Sequence, residues 1–394
     1  MRTTHASVVI AIGLLTLAPT YFRAPQPITI SGATWTNVVD LGADPTGAKD
    51  AAPIINAAIA ALPNGGVVYL PGGSMFLIGS TINVSSGIHI RGDGPDSTFV
   101  MRSLANPHPL FRIPAGQKSV TISDFTLDGQ LAEGALADVA QIEVGNSLTN
   151  TPVNTRLQRI HFTNFDHMGV ADSGDTTSIS DCRFKGTVSI TDETRSSIWG
   201  VWQGSVAKNL SVSHCDFRTL WGSAMLAYGD DGRFCNNTVE NTHMAHQPGP
   251  WWSGGQVAIG QTVNDTAYSW IISNNTILSG GGAGTSGIEL HCVDAVVTGN
   301  IVYNQAESGI ASQGSGRVER TISSNIIKGC NTGVSISNGS QQVNLVGNDC
   351  HNNGTGVWIG VGCIGLVLCG NRSQFNASNL VNASPSNTAS GNLW

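Results

Sequence analysis

Hydrophobic residues in this chain fall in short alternating runs, and asparagine or glycine punctuates those runs at a regular interval. The motif aliphatic, small, small or Asn, Asn, any, aliphatic recurs around Asn237 (FCNNTV), Asn275 (ISNNTI), Asn300 (VTGNIV), Asn325 (ISSNII), Asn348 (LVGNDC) and Asn371 (LCGNRS). Its last four steps are 25, 25, 23 and 23 residues. Cys215 (VSHCDF), Cys182 (ISDCRF), Ile160 (LQRIHF) and Phe125 (ISDFTL) continue the column toward the N-terminus. A fixed period of this size is the mark of a solenoid. It predicts an all-β, single right-handed parallel β-helix, each coil pairing with its neighbours ~4.8 Å away. The column asparagines are expected at a tight bend, where the side chain bonds backbone and tolerates left-handed geometry. Cys182 and Cys215 are expected to stack there as buried thiols rather than a disulfide.

A second column starts with a small residue: Gly169-Val-Ala-Asp, Gly287-Ile-Glu-Leu-His, Gly309-Ile-Ala-Ser, Gly333-Val-Ser-Ile and Gly356-Val-Trp-Ile. Strand alternation sends the first and third residues after the glycine inward, and the second and fourth outward. Three steps of the first column are long: 125 to 160, 182 to 215 and 237 to 275. They predict loops protruding from the flank of the helix.

Composition narrows the setting. Of 394 residues, 40% are hydrophobic and 11% charged, which is enough apolar material for a large core. A net charge of −7 with 19 Lys and Arg leaves no basic stripe for nucleic acid. Eight cysteines without a C-x-x-C pair give no metal spacing, so neither metal nor cofactor is expected. Residues 8–19 are apolar but too short to span a bilayer. Residues 1–30 read as a secretory signal peptide or an N-terminal extension. Residues 31–394 form the β-helix domain, secreted and free of the membrane after processing.

Residues 37–82 hold a turn with Asp40, Gly42, Ala43 and Gly47, a helix near 51–62, and a strand from Gly65-Gly66 through Gly72. This resembles the opening segment of the pectate-lyase-like superfamily of right-handed β-helix proteins. The resemblance implies an N-terminal capping helix over the open end of the solenoid, where a bare sheet edge would otherwise stand. It also implies polysaccharide chemistry, since the superfamily includes polygalacturonases, glucanases, alginate lyases, epimerases and phage tailspikes. Residues 118–129 resemble the first coil of bacterial mannuronan epimerases. The departures are informative. Gly229-Asp230-Asp231 matches the D-D of polygalacturonases, but their N-T-D, G-H-G and R-I-K are missing at the right spacing. Met168-Gly169-Val170-Ala171-Asp172-Ser173 stands where the epimerases carry Y-G-F-D-P-H, so the His is missing and the Asp displaced. Lysines are scarce in the central coils, which weighs against a lyase.

Sugar sites use aromatic faces for rings and carboxylates for acid–base work. Trp199, Trp202, Trp221, Trp251, Trp252 and Trp270 crowd into one stretch with acidic and histidine residues. Asp230, Asp231, Glu289, His291, Glu240 and His243 are the candidate catalytic groups. Trp202, Trp221, Tyr228, His246, Trp251, Trp252, Asp172 and Asp175 are the candidate substrate contacts. Asp230 is expected two coils from Glu289, ~10 Å along the stack, close to an inverting pair of carboxyls. The plainer alternatives are a turn at Asp230-Asp231-Gly232 and a solvated strand for Glu289 and His291. The expected function is a polysaccharide-active enzyme, foremost a glycoside hydrolase. A lyase, a phage tailspike depolymerase assembled as a homotrimer on a virion tail, and a non-catalytic glycan-binding or structural surface module stay open.

Overall fold

The computed structural model describes residues 34–104, 108–130, 139–145, 150–165, 167–186, 198–242, 254–260, 267–280, 284–314, 316–337, 339–384 and 387–394. Their architecture is a right-handed parallel β-helix. Twelve strands, running from Ile82–Asn83 and Phe111–Ile113 to Thr355–Ile359 and Ser378–Asn382, form one wholly parallel sheet in sequence order. Each coil leaves that sheet, adds strands to a second, 25-stranded sheet, and returns. The second sheet is continuous because Lys118–Asp128 and Val153–Thr163 run unbroken through the bend that later coils make between two short strands.

That bend is the asparagine column. Asn237 Oδ1 accepts the Cys215 amide, and from Asn275 onward each ladder asparagine presents Oδ1 to the backbone amide and the side-chain amide of the asparagine one coil earlier. Asn275 Oδ1 accepts from Asn237 N at 2.9 Å and Asn237 Nδ2 at 3.2 Å. Asn300, Asn325, Asn348 and Asn371 repeat the pattern, and Asn392 extends it by one coil beyond the sequence reading. The left-handed backbone belongs to the residue before: Asn236, Asn274, Gly299, Ser324, Gly347 and Gly370 all have φ between 55° and 67°. The expectation that the ladder asparagines themselves take this geometry is therefore corrected. The predecessor makes the turn, which leaves the asparagine side chain aimed inward at its neighbours. A second, shorter ladder runs Cys330 N to Asn353 Oδ1 and Asn353 N to Asn376 Oδ1 at 2.9 and 2.7 Å.

The core is a stack of like residues. Phe162, Phe184 and Phe217 on successive coils stack with ring centroids 4.4 and 4.6 Å apart and ring planes nearly parallel, at about the strand spacing itself. Cys182 and Cys215 are buried free thiols one coil apart. The glycines of the second column have a packing reason. A Cβ at Gly200 would stand 2.6 Å from the Phe217 ring, and one at Gly287 2.5 Å from Val302. Only a residue without a side chain lets the chain turn so closely over the stacked core.

At the N-terminal end the helix Ala52–Ala60 buries Ile55, Ala58 and Ile59 in the core. Its Asn56 takes the place of a preceding strand. The side chain accepts from Asn83 N at 3.0 Å and donates to Thr81 O at 3.2 Å, satisfying the first strand of the twelve-stranded sheet.

Candidate functional site

The outward column of the twelve-stranded sheet follows from its register. Glu143 is followed coil by coil by Ala171, Trp202, Leu226, Ala258 and Glu289, then by Ala311, Ser335 and Trp358. Glu289 stands midway along this column. Although it faces away from the core, it is 6% exposed, as is His291. His291 Nε2 lies 2.8 Å from Glu289 Oε1, and Gln313 Nε2 donates to the same oxygen at 3.0 Å. Glu289 Oε2 and His291 Nδ1 have no hydrogen-bond partner among the described residues. Gly254 and Gly255 make room, since a Cβ on Gly254 would stand 2.7 Å from Oε2 and one on Gly255 2.8 Å from the Glu289 Cβ. A buried carboxylate oxygen and a buried ring nitrogen, both unmatched, are costly for a purely structural cluster. They suit a site whose remaining partner is a ligand hydroxyl.

Gln313 was missed by the sequence reading, yet it was legible. It is the fourth residue after Gly309, the outward place that His291 holds after Gly287. Register brings Glu289 and Gln313 to neighbouring strands.

The other candidates are placed differently. Asp172 is not a groove residue. It is fully buried in the inward column between Val144 and Gln203, and its Oδ1 accepts from Gly174 N and Thr177 Oγ1. Burial pushes its carboxyl up to about 7, against the lowering effect of those two bonds. Trp221 is 2% exposed and belongs to the interior rather than to a sugar face. Trp270 is also interior, its Nε1 donating to Gly229 O at 2.8 Å.

Asp230 and Asp231 form a turn that clasps the next coil. Asp230 Oδ1 accepts from Tyr268 N at 3.1 Å, and Asp231, at φ 57°, donates its amide to Tyr268 O. Gly232 completes the turn, because any Cβ there would strike the Trp270 ring. Asp230 lies beyond the end of Met225–Ala227, while Glu289 lies within Ser286–Leu290 in register with Ala258 and hence Leu226. The two carboxylates are thus offset along the strand direction as well as by two coils, and the expected facing pair is corrected. Asp230 instead shares a row with Lys208 and Asp175. Asp175 accepts from Asn209 Nδ2 and Thr176 Oγ1. Glu240 sits on the other sheet, in an ion pair of 3.1 Å with Arg218. It takes no part in the Glu289 cluster.

Trp202 and Tyr228 do meet on the outward face, half-buried, with ring centroids 6.4 Å apart in an edge arrangement. His291, Gly260 and Tyr228 occupy one row through backbone bonds from His291 N to Ile259 O and from Gly260 N to Ala227 O. His243, His246, Trp251 and Trp252 lie outside the described residues, as do most of the long insertions.

Residues 35–228 match the family described as rhamnogalacturonase A/epimerase, pectate lyase-like, and residues 257–393 match the right handed beta helix region. The chain belongs to the pectate-lyase-like superfamily of right-handed parallel β-helix proteins. Among solved structures this β-helix is similar to the catalytic unit of a GH87 α-1,3-glucanase from Streptomyces thermodiastaticus (18% identity, TM-score 0.65, 94% of this chain and 69% of that one). It is similar to the tailspike of E. coli bacteriophage HK620 in complex with pentasaccharide (15%, 0.64, 90% and 67%). It is also similar to the A-module of an Azotobacter vinelandii mannuronan C-5 epimerase (16%, 0.57, 91% and 100%). It spans 60% of the length of a Geobacillus virus E2 protein, ORF18, that it also matches. No curated protein matches the β-helix. At these identities the likeness is one of fold.

Proposed function

We propose that this β-helix is a polysaccharide-active enzyme that hydrolyses a glycan on the outward face of its twelve-stranded sheet. The observation that carries the reading is the Glu289–His291–Gln313 cluster, with one carboxylate oxygen and one imidazole nitrogen buried and unmatched. Glu289 is the general acid–base: Oε1 is held by His291 and Gln313, which leaves Oε2 to exchange a proton with the glycosidic oxygen or with water. His291 positions the carboxyl. Trp202 and Tyr228, three and two coils away, supply aromatic surface for sugar rings on the same face. The glucanase and the pentasaccharide-bound tailspike among the similar folds support a glycan as substrate.

A second reading has its own observation. Glu289 pairs with a histidine rather than with another carboxylate. A carboxylate–imidazole pair also suits proton abstraction beside a uronate, ending in β-elimination. One assay separates the two. Purified protein is incubated with neutral and uronate-containing polysaccharides, and both reducing ends and absorbance at 235 nm are followed. Reducing ends without absorbance establish hydrolysis, while absorbance establishes elimination. In either case Glu289→Gln is expected to lower kcat about 10²–10⁴-fold with KM little changed. Full activity in that variant would sink the assignment of the site. Secretion, and the alternative of a homotrimer on a virion tail, are tested by sedimentation of the whole chain and by the N-terminal sequence of the exported protein.

A further inference from the structure

On the same outward column, Trp358 stands as far from Glu289 on one side as Trp202 does on the other. Register counts three coil steps from Trp202 through Leu226 and Ala258 to Glu289. It counts three more through Ala311 and Ser335 to Trp358. Each interval is ~14 Å along the helix axis. The two tryptophans are built alike. The six-membered ring of Trp358 lies over Gly360, where a Cβ would be 2.8 Å from Cη2, and that of Trp202 lies over Gly204, where a Cβ would be 3.2 Å away. In both, a glycine two residues later lets the indole settle onto the backbone. Both side chains are half-buried, so part of each ring stays in contact with solvent. Between Glu289 and Trp358 the column carries only Ala311 and Ser335, a floor of small side chains between two large ones.

We infer that Trp358 is a distal sugar-stacking subsite, reached only by a glycan chain long enough to extend along the axis from Glu289. The inference rests on the polysaccharide reading above and adds to it a direction and a length requirement. An indole held against backbone loses little freedom when a sugar ring covers it, and the small floor leaves the intervening units unobstructed.

The test compares oligosaccharides of two to three units with those of six to eight, prepared from each member of a panel of neutral and uronate-containing polysaccharides. Binding is followed by calorimetry on the full chain. Trp358→Ala is expected to weaken the long fragments about threefold to tenfold and leave the short ones unchanged, with turnover of short fragments intact. Gly360→Ala, which keeps the indole but displaces it, is expected to shift binding in the same direction. Trp358→Phe should restore part of the loss. Equal affinity for long fragments in wild type and in folded Trp358→Ala or Gly360→Ala overturns the inference while the Glu289 site stands. Failure of wild type to bind any fragment of either length overturns the polysaccharide reading and this inference together.

Discussion

At the scale of single residues, chemistry that looked functional in the sequence divides into two kinds. Glu289 and His291 were legible because alternation after Gly287 set both on the outward side, and they are hydrogen-bonded partners there. Asp172 obeys the same alternation, yet it is the third residue after its glycine and so points inward. Its charge suggested a groove, and its position places it in the core. Trp221 and the Asp230-Asp231-Gly232 turn misled for a related reason, since burial of an indole and a clasp on the next coil depend on neighbours remote in sequence. The buried Asp172 has a measurable consequence. An unfolded aspartate gives up its proton near 4, whereas Asp172 keeps its proton up to about 7 because of burial. Between those values the folded chain binds more protons, so this residue lowers stability as pH rises from about 4 to 7 and has a constant effect above. His89 works the other way. Burial first, then Arg91, pushes it down to about 4, so its contribution is lost as pH falls from about 6.5. Comparing wild type with Asp172→Asn isolates the first effect. In urea titrations the variant should be little changed at pH 4 and more stable by up to about 4 kcal/mol at pH 7. A difference independent of pH would exclude a buried proton on Asp172.

At the scale of elements, the ladder was the most readable feature, and its one misreading is physical. Asn-Asn at 236–237 and 274–275 makes turn residue and ladder residue look interchangeable, whereas Gly299, Gly347 and Gly370 mark which one turns. The ladder asparagine must hold its side chain under the bend, and its predecessor bears the left-handed backbone. Asn300 shows what is at stake. Its Oδ1 accepts the Asn275 amide and its Nδ2 donates to Ile272 O, both buried. Asn300→Ala would leave that amide without a partner, at about 1–3 kcal/mol, and would take from Ile272 O the bond it accepts beside its strand pairing. The expected loss, read from urea midpoints at unchanged m-value, is about 1–3 kcal/mol. A loss below ~0.5 kcal/mol would show that the ladder follows the bend and does little to hold it.

At the scale of the whole molecule, the solenoid and its cap were legible because period and opening segment are local patterns. The face proposed to bind glycan was harder to read. A coil offers several outward columns, and only the register of distant strands shows which of them carries Glu289 and the two tryptophans, with His291 and Gln313 on the next outward place along the strand. The same architecture dictates how stability is shared. Each coil bonds only to the coils above and below, so the energy is a chain of neighbour terms. The cap helix is the last of these at one end, tying Ile55 into the core and Asn56 onto the first sheet strand. Ile55→Asp forces a carboxylate into that apolar seat, where desolvation costs several kcal/mol. In a linear stack the damage should stay near the end. Hydrogen exchange is then expected to rise in Gly66–Tyr69, Ile82–Asn83 and Ile88–Arg91, while Ser286–Leu290 and Ser308–Gln313 keep wild-type protection. Turnover should persist at temperatures where the first coils already exchange freely, because the site lies many coils away. If instead protection falls by the same free energy in all these strands, the β-helix opens as one cooperative unit. The cap would then act on the site through global stability rather than by sealing one end.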